Sequence, residues 1–103
     1  MPELKDNRKT KIIKLPSYPG GEVEVYTSLL FGDLVDTEQV EGEIEKGLLI
    51  ATRIIKSWNL TDEKGEILPI TLENLKKLPS KDGLLIVEAV NEALYNPKEK
   101  KTG

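Results

Sequence analysis

The chain contains no cysteine and no histidine. The first absence excludes disulfides, thiolate zinc sites and a cysteine nucleophile. The second excludes a serine–histidine triad and removes both the commonest metal ligand and the usual proton shuttle near neutral pH. Catalysis would fall to carboxylates, Lys, Ser, Thr or Tyr. Aromatic residues are scarce too. Tyr18, Tyr26, Phe31, Trp58 and Tyr95 are the whole set, so the core must come mainly from Leu, Ile and Val. No apolar run approaches the ~20 residues that span a bilayer. The run "GLLIA" at 47–51 lies inside an amphipathic pattern. The opening "MPELKDNRKTK" lacks the apolar core of a signal peptide. A soluble cytoplasmic protein without a membrane partner is the expectation.

Positive charge is missing where a nucleic-acid binder would need it. The net charge is −3, unevenly placed. Residues 1–14 carry five basic and two acidic side chains, and 96–103 carry three and one. The intervening 15–95 hold seven basic and fifteen acidic side chains, a net of −8. An acidic body with basic ends lacks the dense basic face that neutralises phosphates. No nucleic-acid partner is expected.

What is present reads as α+β: a mainly helical single domain over residues 11–95, with an N-terminal β-hairpin and three to four helices. Residues 1–10 and 96–103 read as flexible ends, the latter basic. "KIIKL" (11–15) and "EVEVY" (22–26) predict strands, with Val23 and Val25 on one face and Glu22, Glu24 and Tyr26 on the other. Between them, Pro19-Gly20 suits the centre of a type II turn. A lone hairpin is marginal in water, so it must pack on helices or pair with another sheet.

"SLLFGDLVDTEQV" (28–40) predicts a short helix capped by Ser28, with Leu30, Phe31 and Leu34 or Val35 turned inward. "EGEIEKGLLIATRIIKSW" (41–58) predicts the central helix. Ile44, Leu48, Ala51, Ile55 and Trp58 recur there at helical spacing, and the acidic start and basic end complement the helix dipole. Further on, Gly65 marks a turn and Leu68, ahead of Pro69, is pushed to extended angles. Thr71 caps "LENLKKL", whose Leu72, Leu75 and Leu78 share a side. Ser80 caps a last helix of roughly 81–95, with Leu85, Ile86, Ala89, Val90, Ala93 and Leu94 as its apolar stripe.

Few residues suggest chemistry. Asp33 and Asp36 would share a helix face, and paired carboxylates can do acid–base work when their environments differ, but a solvated face is the expectation. "DEKGE" (62–66) lacks the alternating oxygen ligands and distant glutamate of an EF-hand loop and reads as a plain turn. "YPGG" (18–21) precedes a strand, not the helix that a phosphate loop needs. Trp58 has two roles open to it: a partner hot spot, or a core plug whose indole N–H bonds a nearby carbonyl. No active site, metal site or cofactor site emerges.

The run from Trp58 to Pro79, "WNLTDEKGEILPITLENLKKLP", resembles small tail assembly chaperones of tailed bacteriophages and prophages. A looser likeness extends over residues 11–95. Trp58, Asn59, Leu60, Asp62, Gly65, Pro69 and Thr71 carry the pattern and stand as candidate partner-binding or motif residues. The resemblance implies a non-enzymatic assembly factor that binds the tape measure or tail tube protein in the host cytoplasm. The alternative is a virion component such as a tail terminator or connector protein. Homo-oligomerisation stays open.

Overall fold

The computed structural model describes residues 3–95; the basic segment expected to be flexible, 96–103, lies outside them. Two layers make up the fold. One is a three-stranded antiparallel sheet in the order β1-β2-β3, with β1 at Thr10–Lys14, β2 at Glu22–Tyr26 and β3 at Ile55–Trp58. The other is helical, with α1 at Phe31–Glu38, α2 at Glu43–Ile54, α3 at Leu72–Lys76 and α4 at Ser80–Tyr95. The α+β expectation holds, with four helices.

The hairpin forms as the sequence predicts. Gly21 N–H donates to Tyr18 O at 2.7 Å across Pro19-Gly20, and Gly20 sits at φ +79°. A positive φ at the third turn position is what a type II turn requires and what glycine supplies without strain. The alternation in "EVEVY" buries Val23 and Val25 completely.

The central helix is shorter than its periodicity suggests. It begins at Glu43 and stops at Ile54, and Ile55–Trp58 becomes the third strand. That strand pairs Val23 with Trp58 and Val25 with Ile55, with a bulge between Glu24 and Val25. Ile55 already has extended angles, while its N–H still closes the helix on Ala51 O. The spacing of Ala51, Ile55 and Trp58 suits a helix equally well. The strand wins because it pairs an edge of β2 that would otherwise lack backbone partners,, and Ile and Trp both favour strands.

α1 is the second correction. Its apolar residues face out: Leu30, Phe31, Leu34 and Val35 are all exposed, Phe31 at 80%. The residues turned inward are Asp33 and Thr37. Leu30, not Ser28, is the N-cap residue, and its N–H donates to Asp33 Oδ2 at 3.2 Å. Asp33 is not solvated as expected: it is 7% exposed and accepts a bond from Arg53 Nη1 at 3.1 Å. Asp36 meets the same nitrogen at 2.8 Å. Both carboxylates hold the Arg53 guanidinium charged, its pKa raised by the bond to Asp36 and then by that to Asp33.

Thr71 caps α3 as predicted, accepting from Asn74 N–H at 3.1 Å. α4 begins at Ser80 itself, and Pro79 O accepts from the Asp82 and Gly83 N–H groups. The predicted stripe of α4 is the buried one at Ile86, Ala89, Val90 and Ala93. These meet Ile50, Ala51 and Ile54 of α2 and the inner face of the sheet in one core. Fully buried Asp82 ties the hairpin loop to α4 by accepting from Ser17 N–H at 3.3 Å.

The two faces of α2 can be told apart by stability. Ile54→Ala is expected to cost about 2–5 kcal/mol. Ile44→Ala, at a position 75% exposed, should change stability by less than about 0.5 kcal/mol. Urea unfolding followed by Trp58 fluorescence measures both. Equal costs would mean that Ile44 belongs to the core.

Candidate functional site

The Trp58–Thr71 segment is a hydrogen-bonded clasp built from its own motif residues. Trp58 is 6% exposed, and its indole N–H donates to Leu68 O at 2.7 Å. The core-plug role and its carbonyl partner are therefore as expected, although the residue ends a strand and not a helix. Asn59 makes three bonds. Its N–H donates to Glu22 O at 3.2 Å, its Oδ1 accepts from Glu22 N–H at 2.8 Å, and its Nδ2 donates to Gly20 O at 2.9 Å. It thereby extends the β2–β3 pairing and fastens the hairpin turn.

The chain then doubles back. Leu60 O accepts from Leu68 N–H at 2.9 Å, and Thr61 bridges Ile67. Asp62 organises the tip: its Oδ1 accepts from Lys64 N–H at 2.8 Å and Glu66 N–H at 3.0 Å. This is the local side-chain-to-backbone bonding for which Asp is favoured in turns. Gly65, at φ +81°, completes the turn. Pro69 O accepts from Asn74 Nδ2 at 2.8 Å. All seven motif residues thus fall in one continuous stretch of structure. Trp58, Leu60, Asp62 and Gly65 bond within the stretch, Asn59 bonds the hairpin, and Pro69 and Thr71 accept from Asn74 of α3.

Between the clasp and the hairpin loop lies a cleft of about 360 Å³, with Tyr18, Pro19, Trp58, Leu60, Leu68 and Lys77 on its walls. The Asn59 and Asn74 side chains in its lining are engaged in the bonds above. Among the described residues no three acidic side chains lie close enough to hold a metal ion.

A second surface lies on the helical layer. Leu84, Val87 and Tyr95 of α4 are exposed, as is Ile44 of α2. With Leu48, the Ile44, Val87 and Tyr95 side chains open a groove of about 420 Å³ between the two helices, floored by Ile50 and Val90. The signal was available: Leu84, Val87, Asn91 and Tyr95 also recur at helical spacing. The stronger inner stripe of α4 masked it, and polar Asn91 interrupts it.

Electrostatic order concentrates at the open end of the hairpin. Arg8 stacks over the Tyr26 ring at 3.7 Å, donates to Ser28 O at 3.0 Å and grips both oxygens of Asp6 at 2.9 and 2.7 Å. The side-chain and then the backbone bonds from Arg8 lower the Asp6 pKa to about 2. Lys11 forms an ion pair with Glu92, linking β1 to α4.

No helix among the described residues is long and apolar enough to cross a membrane. Comparison of the chain with protein-family models, with curated proteins and with solved structures finds no match.

Two outcomes follow from this geometry. Asn59→Ala removes two side-chain bonds and should cost about 1–3 kcal/mol. Its amide NMR shifts should change most at Gly20–Glu22, the residues it holds; changes confined to residues 60–68 would contradict the fastening role. For Asp6 the folded pKa lies below the ordinary carboxylate value. Its contribution to stability is therefore present above about pH 4 and lost as pH falls through about 2,. An NMR titration of its carboxyl should show that midpoint, and Arg8→Ala should return it to the ordinary range.

Proposed function

We propose that the chain is a non-enzymatic protein-binding factor of phage tail assembly, chaperone-like, whose partner is a tape measure or tail tube protein in the host cytoplasm. One observation supports the protein-binding part above the others. Three helices of a small domain leave large apolar side chains in solvent, with Phe31 on α1, Ile44 on α2, and Leu84, Val87 and Tyr95 on α4. Of these, Ile44, Val87 and Tyr95 share one groove, and apolar surface gathered in this way marks interaction sites. The tail-assembly part rests on the Trp58–Pro79 resemblance. The clasp residues support that part by their shared role in the fold, not by offering free groups to a partner.

A virion component is the second reading, and the sheet supplies its observation. β1 pairs only with β2. Leu15 N–H donates to Gly21 O and Thr27 N–H to Lys9 O, which points the backbone groups of odd-numbered residues at β2. Those of Thr10, Ile12 and Lys14 point away, where a neighbouring strand in a ring could pair with them.

Co-expression tests the first reading. With the tape measure or tail tube protein of the same genome, the chain should keep that protein in the soluble fraction and purify with it in fixed ratio. Mass spectrometry of purified particles should find the chain absent. A tail protein equally soluble alone and never retained overturns the proposal, and the chain's presence in particles decides for the virion component.

A further inference from the structure

α4 carries two apolar stripes. The inner one fills the core. The outer one, Leu84, Val87 and Tyr95 with Asn91 between, runs eleven residues along the helix, a rise of about 16 Å. Its Val87, Asn91 and Tyr95, with Ile44 and Leu48 of α2, line the open groove of about 420 Å³. A shallower hollow at Leu84, Leu85 and Glu88 continues it toward the start of α4. A further helix of about three turns would match that length.

We propose that this groove docks one amphipathic α-helix with basic flanks, supplied by a partner protein. The inference deepens the assembly-factor reading and rests on it only for the partner's identity.

The walls select a helix. They are side chains of two helices whose backbone groups are bonded internally, so an extended segment laid there would find no N–H or C=O to pair with. A helix brings its own backbone bonds and needs only an apolar face. A small polar ligand finds little to orient it: the Thr37 hydroxyl at the rim already donates to Asp33 O at 2.7 Å, which leaves Asn91 and the Tyr95 hydroxyl as the neutral polar groups.

Charge selects the partner. Glu38, Glu41, Glu43 and Glu45 gather where α1 gives way to α2, and Glu88 stands beside Val87 on α4. None of these five forms an ion pair among the described residues. Glu43 and Lys46 are the charged residues of the groove lining, Glu88 lines the hollow that continues it, and Glu38, Glu41 and Glu45 flank Glu43 in the chain. Complementary charge steers association, and like charge set face to face costs several kcal/mol. A second copy would bring its own glutamates to the same place. The chain's own residues 96–103, "NPKEKKTG", have the right charge but no apolar side chain beyond one proline, so they cannot fill the groove.

The test uses the full chain and two labelled synthetic helices of about 18 residues, five turns. The peptides share one leucine stripe and differ in lysine or glutamate flanks. Fluorescence anisotropy should show the lysine peptide binding, weakening as salt rises, and the glutamate peptide binding at least about tenfold more weakly. Val87→Asp should weaken the lysine peptide about tenfold or more, with an unchanged circular dichroism spectrum. Ile12→Asp, on the outer face of the sheet, should leave binding as it was. Equal binding of both peptides, binding of neither, or indifference to Val87→Asp overturns the proposal. So does a dimer seen in sedimentation that Val87→Asp dissolves, because the occupant is then a second copy. A tail protein retained on co-expression while the lysine peptide fails to bind would sink the groove and spare the assembly reading. Peptide binding without any tail protein retained would do the reverse.

Discussion

β2 occupies the centre of the sheet with Val23 and Val25 fully buried, and its backbone is satisfied because a strand lies on each side. β1 alone would leave the other edge of β2 unpaired. Each buried, unpaired N–H or C=O there would cost about 1–3 kcal/mol. That requirement stops α2 at Ile54 and turns Ile55–Trp58 into a strand without an intervening loop. The position of Trp58 follows, then the grip of Asn59 on Glu22 and Gly20, and then the doubling back that brings Leu68 O under the indole. The clasp is the continuation of a pairing that β2 demands.

The same requirement explains which parts of the fold were legible. "EVEVY" alternates without ambiguity and the Pro19-Gly20 turn has its own chemistry, so the hairpin could be read from local residues. Thr71 and the inner stripe of α4 were equally local signals. The third strand was not. Residues 50, 51, 54, 55 and 58 are all buried, and that spacing fits one face of a helix. The deciding fact, an unpaired edge about thirty residues earlier in the chain, is non-local, and spacing cannot register it. α1 failed for a different reason. Its apolar residues fit a core-facing helix, but Arg53 on α2 holds Asp33 and Asp36 toward itself. The polar side of the helix is the one anchored, and Phe31 is left in water.

The candidate site divides in the same way. The motif residues were identified as a group and do lie together, because each makes or shapes a bond within a few residues of the next. Their role in closing the fold was visible for Trp58, whose indole needs a partner wherever it is buried. The residues that line the groove were not legible, since it exists only where α4 meets α2 and they come from two distant parts of the chain.

The cleft beside the clasp and the groove between α2 and α4 share no lining residue. Structure and recognition can therefore be perturbed separately. Changes at Asn59 act on the hairpin and the sheet, while changes at Val87 act on a surface that the core does not need. Exposed apolar surface carries a risk of self-association, and the charge pattern bears on that risk directly. With a net of −8 over residues 15–95, two copies brought groove to groove repel each other. The same field draws in a basic helix. A small domain can then keep a hydrophobic docking face open, because the charge that discourages its own kind favours the partner that would cover it.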